Sequence, residues 1–307
     1  MNGFSDAFAT FQLKLFEVVA PWLFQLGMGN LLEDAYAAST WLLVGLIQIA
    51  VLLLVIGPLQ RWRPAEPVTD RASIRTDVIY TLIHRLGLFR VALFFTLEPI
   101  FNSGFGVLRT AGVGTFHLDQ VWPGVTDGAI ASFLVYLLAL DLAAYWLHRG
   151  QHTIGLWWRL HSLHHSQQQM TMWSDNRNHL LDDVLVSVLL VLLAQLIGVA
   201  PEQFVAIVAL TQLSESLQHA NVRLSFGRIG ERLWVSPLFH RVHHSIHSGN
   251  SNYGVLLPWW DQLFGTANFQ THYHPTGVKD TQDKALDDGP GLWAQQWRGL
   301  KRLLGQA

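Results

Sequence analysis

The run STWLLVGLIQIAVLLLVIGPL, Ser39 to Leu59, carries no charged side chain. A helix needs about 20 apolar residues to cross a bilayer core, and a backbone inside that core must satisfy its own hydrogen bonds. The run therefore predicts a membrane-spanning helix in an all-α, integral membrane protein. Composition agrees, since half of the 307 residues are hydrophobic and only 14% are charged. A buried core helix of a soluble protein is the other reading of one such run, but further apolar segments follow it. A net charge of −2 leaves no basic surplus for nucleic acid. The absence of cysteine excludes disulfides, thiolate-bound iron–sulfur clusters and cysteine nucleophiles within the chain.

Around this helix the other segments fall into place. Phe4 to Leu26 mixes apolar residues with Asp6, Lys14 and Glu17 and lacks the basic start and cleavage site of a secretory signal, which predicts a retained interfacial helix. The loop bearing Arg61, Arg63, Arg71 and Arg75 belongs in the cytoplasm by the positive-inside rule. Val78 to Phe101 reads as a second, less clean span whose His84, Arg85 and Arg90 snorkel or face protein. Asn102 to Asp127, Gly-rich with Arg109 as its one basic residue, reads as an outside loop. Gly128 to Leu147 is a third span, and its one charged residue is Asp141. Val184 to Gly198 and Phe204 to Gln218 are short for full crossing, so they predict a hairpin that dips into the membrane and returns. The whole reads as about four membrane helices, the hairpin included. Residues 1–127 hold the first membrane helices and loops, 128–270 a histidine-bearing domain, and 271–307 a tail whose LWAQQWRGLKRLL forms a surface amphipathic helix.

The histidines are the second constraint. Fifteen residues are His, and eight of them fall in three short motifs: His148 and His152; His161, His164 and His165; His240, His243 and His244. On helices these spacings project imidazoles from shared faces. Histidine is the commonest metal ligand, and eight neutral imidazoles exceed what one four-coordinate ion can use, so the pattern predicts two metal ions. Asp141 lies two helical turns before His148, positioned to accept from a ligand imidazole's second nitrogen, unless it pairs with a backbone group, Arg85 or Arg90. The hairpin would return His219 to the other clusters. Arg149, Arg159, Arg177, Arg223, Arg228, Arg232 and Arg241 flank the histidines and place them on the cytoplasmic side. His117, His247 and His274 read as loop residues.

Taken in order, DLAAYWLHRGQH, LHSLHHS, HANVRLSFG, SPLFHRVHHS and NSNYGVLLPWWDQLFGT, within Asp141 to Thr266, resemble the fatty acid hydroxylase and sterol desaturase superfamily of membrane di-iron enzymes. The resemblance implies a cytosolic helical cap holding two irons that activate dioxygen. It implies as ligands His148, His152, His161, His164, His165, His219, His240, His243 and His244. Glu215 stands where some members have a further histidine, four residues before His219, and is a carboxylate ligand, a group behind the ligands, or neither. His179 and Asp182 fall where relatives often have a histidine followed three residues later by Glu, and are expected beside the ligands.

The chemistry fits iron independently, because cleaving an unactivated C–H bond with dioxygen needs a redox-active metal, which zinc is not. The substrate would be a lipid entering from the bilayer, with hydroxylation favoured over desaturation. Without a dinucleotide fingerprint or a thiolate, the chain needs electrons from an external ferredoxin- or cytochrome-type protein. A membrane metal transporter or metal-binding protein is the alternative, but transport would spread ligands along a path. A bis-histidine haem protein would leave most of the histidines unexplained.

Overall fold

A computed structural model describes residues 2–247, 250–279 and 285–306. Among them it is helical, with no strand beyond isolated bridges such as Ser245 to Thr276. Helix α1 (Asn2–Gln25) packs against α2 (Leu32–Val51), which runs through a π-helical turn, Leu52–Ile56, into α3 (Gly57–Trp62). Pro58 has no N–H to give to the carbonyl four residues back, and the wide turn lies immediately before it. The resulting apolar rod, Gly29–Trp62, is 34 residues long. Gly45 lets it touch the next helix, since a Cβ there would lie 1.6 Å from the carbonyl oxygen of Arg85.

Two expectations are revised. Ser5–Gln25, expected as an amphipathic or interfacial helix, is by length and composition apolar enough to cross a membrane. Asp6, Lys14 and Glu17 are too few to make a polar face, and Phe11, Val18, Trp22 and Phe24 are all exposed around the helix. The second expected span is broken into α4 (Arg71–Arg85) and α5 (Leu88–Thr96), bent by 51°, with α6 (Glu98–Thr110) beyond. Gly87, at φ +79°, makes the break. α4 begins at Asp70, whose side chain accepts from the Ser73 N–H, and it buries Asp77, Tyr80, Thr81 and Arg85. These polar residues face protein, whereas Arg71 and Arg75 in its first turns are exposed.

α7 (Ala129–Thr153) runs from the loop after α6 into the histidine-bearing cap, where α8 (Gly155–His165) turns back at Ile154. The expected hairpin is present as α9 (Leu180–Leu196) and α10 (Pro201–His219), joined through Gly198 at φ +78° and with Pro201 opening the second helix. Short helices α11 (Gly227–Gly230), α12 (Pro237–His243) and α13 (Trp259–Phe264) follow, and α14 (Leu292–Leu303) closes the chain against α8. Trp293 and Trp297 on α14 are exposed, as an amphipathic surface helix requires.

Apolar packing joins α7, α9 and α10 through Tyr136, Leu137, Leu140, Ala194 and Ile207, closed by Leu256 and Leu257 from the loop before α13. A polar junction crosses the same region. Arg85 donates to Gln48 (3.0 Å), Gln212 (2.6 Å), Asp175 (2.8 Å) and Ser216 (3.0 Å), tying α2, α4 and α10 together.

The loop before α7 and the segment after α8 should face opposite sides of the membrane. Gly114 and Gln168 are both exposed, and the chain has no native cysteine. With an impermeant thiol reagent on intact cells, Gly114→Cys should label and Gln168→Cys should not. The opposite pattern would reverse the topology.

Candidate metal centre

Four helix ends meet in the cap. The last turns of α7 carry His148 and His152, α8 carries His161, His164 and His165, α10 ends at His219, and α12 brings His240 and His243 with His244 directly after it. Eight of these form two groups of four: His148, His152, His165 and His243, and His164, His219, His240 and His244. Within each group the nitrogens that can bind a metal lie within 4.8 Å of one another. Neighbouring residues divide between the groups because successive side chains on a helix point about 100° apart. Thus His164 and His165 part, as do His243 and His244. The groups adjoin where the His165 and His244 rings stack, 4.2 Å between centroids.

Backbone and carboxylate acceptors hold the rings. Nδ1 of His148 donates to the Tyr253 carbonyl (2.9 Å), Nδ1 of His243 to that of Ser251 (2.7 Å) and Nδ1 of His219 to that of Glu215 (2.9 Å). A proton fixed on Nδ1 leaves Nε2 as a lone pair. Those lone pairs converge: Nε2 of His219 lies 3.1 Å from Nε2 of both His164 and His240, and His165 and His243 make the same contact. Burial, reinforced by neighbouring imidazoles, holds His164, His165, His240 and His244 well below the usual histidine range, and burial brings His243 down to about 3. These five rings are neutral at pH 7, the form that binds metals. Both nitrogens of His152 and Nδ1 of His164, His240 and His244 are buried without a partner. Crowded lone pairs and orphaned nitrogens in an enclosed site suit two cations, and an all-imidazole donor set suits iron among other transition metals.

His161 stands outside both groups but against them, its ring 5.0 to 5.4 Å from those of His148, His152, His164 and His165. Its Nδ1 donates to Asp182 (3.0 Å), and its Nε2 is buried with no partner. Asp182 also accepts from Gln151 (2.8 Å) and Trp157 (2.6 Å), which fixes its carboxylate against the His161 ring.

Asp141 does not orient an imidazole. Two turns of α7 are about 10 Å of rise, too far for a hydrogen bond to His148. Asp141 instead accepts from the Leu256 N–H (2.9 Å), the Leu257 N–H (3.2 Å) and the Trp260 indole (2.8 Å). It pins the loop that supplies the Tyr253 carbonyl. Asp261 pins the same loop by accepting from the N–H groups of Tyr253 (2.8 Å) and Gly254 (2.7 Å). His179 is also displaced from its expected place. It caps α9 by accepting from the Leu181 N–H (3.2 Å), and its Nε2 donates to the Gln296 carbonyl of α14 (2.9 Å). The Glu215 carboxylate belongs to neither group and makes no hydrogen bond among the described residues. The sequence reading missed the Tyr253 and Ser251 carbonyls, which no side-chain pattern reveals, and Asp261, which was in view only as part of WWDQLF.

A cavity of about 350 Å³ opens on His148, His161, His164, His219 and His240 and extends between α5, α7, α9 and α10. Glu215 lines it as well, and its walls mix apolar residues, among them Leu140, Leu147, Val186 and Ile207, with polar ones, among them Gln151, Asp175, Asn176 and Gln218. His152, His165 and His243 border a separate cavity of about 260 Å³ that Trp158 also lines.

The fatty acid hydroxylase family profile matches residues 133–266. The chain is 29% identical over 216 residues to an ornithine lipid hydroxylase of Rhizobium tropici, covering 69% of this chain and 63% of that protein. It is 27% identical over 191 residues to an alkylglycerol monooxygenase of Danio rerio, covering 59% and 41% respectively. It is 25% identical over 210 residues to a Delta(7)-sterol 5(6)-desaturase of Aspergillus fumigatus, covering 61% and 62%. The chain thus spans less than two thirds of the length of each. No solved structure matches it.

The two aspartates should separate experimentally. Asp141→Asn turns an amide donor towards backbone N–H groups and should cost about 1–3 kcal/mol of stability while the folded protein still fills with iron. Asp182→Asn releases His161 and should weaken iron binding by about 10- to 100-fold per folded molecule. Thermal melts and iron titrations check both, and unchanged iron affinity in Asp182→Asn would remove Asp182 from the centre.

Proposed function

We propose that this chain, which belongs through residues 133–266 to the fatty acid hydroxylase and sterol desaturase superfamily, is a membrane oxidoreductase that uses two iron ions and dioxygen to hydroxylate a lipid. The observation that carries the reading is the pair of four-imidazole groups side by side, with His148, His164, His219 and His240 opening on a cavity that is apolar over part of its wall. Bound iron would supply the redox chemistry with dioxygen that imidazoles lack.

The chain's own residues do the rest. His148, His152, His165 and His243 would hold one ion and His164, His219, His240 and His244 the other, with the His161 ring against those of both groups. Carbonyls of Tyr253, Ser251 and Glu215 keep three of the rings in the tautomer that offers Nε2. The apolar walls admit an alkyl chain from the membrane and exclude water from the reacting carbon. In the net reaction one oxygen atom enters the C–H bond and the other leaves as water, consuming two electrons and two protons. The electrons come from an external ferredoxin- or cytochrome-type protein, as the chain has no cysteine to hold an iron–sulfur centre. Two of the relatives bear hydroxylase or monooxygenase names and one a desaturase name, which favours hydroxylation. Ligands gathered in one closed site favour catalysis over metal transport.

Lipid extracts from cells with and without the gene, grown under ¹⁸O₂, test the proposal. A lipid carrying one labelled oxygen should appear with the gene, and purified protein should hold about two irons per chain, a count that follows from one ion per four-imidazole group. His219→Ala and His244→Ala should lose iron and product, while His272→Ala keeps both. Loss of two hydrogens without label would make the reaction desaturation. Unchanged lipids together with iron-free protein would overturn the reading.

A further inference from the structure

We infer that Arg90 is the seat for an oxyanion, a carboxylate or a phosphate, on a long-chain lipid whose alkyl chain runs along the cavity to the histidines. This rests on the oxidoreductase reading and specifies its substrate class.

Arg90 lies on α5 and lines the same cavity as His148 and His219. Its guanidinium stacks on the Trp41 ring, 3.4 Å from the ring centroid. Among the described residues it meets no carboxylate and no hydrogen-bond acceptor. The other interior arginines differ: Arg85 pairs with Asp175 (2.8 Å), Arg241 with Glu66 (2.7 Å) and Arg177 with Asp77. Arg90 is half-buried, a guanidinium partly withdrawn from water without a counter-ion is costly, and its planar fork matches the oxygens of a carboxylate or phosphate. Arg85 cannot serve instead, since Gln48, Gln212, Asp175 and Ser216 already occupy its terminal nitrogens.

The position of Arg90 gives the site a length. The Trp41 ring that carries Arg90 also meets Phe204 edge-on, 6.5 Å between centroids. Phe204 and His219 lie at opposite ends of α10, and both line the cavity. Fifteen residues of helix separate them, roughly 22 Å of rise. Between them the walls present Leu137, Leu140, Leu190, Ile207 and Val208, interrupted by Thr211, Gln212 and Glu215 of α10. A lipid anchored at Arg90 by its anion would lay its chain along these residues and bring a carbon far from the anion to the metal centre. The Arg90 to histidine span then decides which carbon is oxidised.

Equilibrium binding to the iron-loaded full chain in phosphatidylcholine nanodiscs tests this, with palmitate, methyl palmitate and palmitoyl lysophosphatidate each displacing radiolabelled palmitate. Palmitate should bind about tenfold more tightly than its methyl ester, the size expected for a charge-assisted contact. Arg90→Gln should remove that preference, and Arg90→Lys should restore part of it. Tighter binding of lysophosphatidate than of palmitate would assign the natural anion as a phosphate, and the reverse as a carboxylate. Equal binding of palmitate and methyl palmitate to the unaltered protein would overturn the proposal even if Arg90→Gln does not fold. A preference that survives in folded Arg90→Gln would overturn it as well. Binding is read without turnover, and iron content is measured in the same samples. Failure of the anion seat in iron-loaded protein therefore leaves the oxidoreductase reading standing, and iron-free protein tells against that reading instead.

Discussion

Neutral imidazoles packed with their lone pairs facing one another repel unless a cation lies among them, and this requirement organises the cap. It explains why four helix ends converge on one place, and why the cap spends so many buried hydrogen bonds on aiming rings. The Nδ1 atoms of His148, His219 and His243 are each taken by a backbone carbonyl, and that of His161 by Asp182. Each such contact chooses a tautomer as well as an orientation. The carbonyls are held in turn, with Asp261 bonding the N–H groups of Tyr253 and Gly254 and Asp141 those of Leu256 and Leu257. Aspartates that touch no metal-binding ring thus serve the centre through the backbone.

Below the cap the same helices must also present an apolar cavity, and polar residues at membrane depth reconcile the two demands. Arg85 binds α2, α4 and α10 through hydrogen bonds that lipid could not replace, so the bundle does not rely on apolar packing alone. The bend at Gly87 carries α5 away from the line of α4 and places Arg90 and Leu93 on the cavity wall. A straight span would have had no reason to put a cation there. Arg85 and Arg90 are five residues apart, yet one is a structural junction and the other has no acceptor among the described residues.

Much of the candidate centre was legible in the sequence because metal binding leaves a side-chain signature. The H-x-x-H-H spacing, the closeness of the first two motifs and the return of the short hairpin pointed to the residues now seen in the two groups, His219 included. How they divide was not legible, because His164 and His165 part only once α8 is oriented against α10 and α12. Asp141 shows the limit of a periodicity argument. Sharing a helical face with His148 says nothing about reach, and two turns of rise place it at a different depth, where a loop more than a hundred residues later takes it up.

What the sequence determined by itself was therefore the solvent and the candidate chemistry: apolar runs that suit a membrane and helices, and histidines in a number and spacing that suit metal ions. Only the tertiary structure decided the partition of the candidate ligands, the carbonyls that set their tautomers, the break at Gly87 and the stacking of Arg90 on Trp41. Helical periodicity is local and shows in the chain. A contact between distant segments depends on depth, crossing and register, and those exist only once the helices have packed.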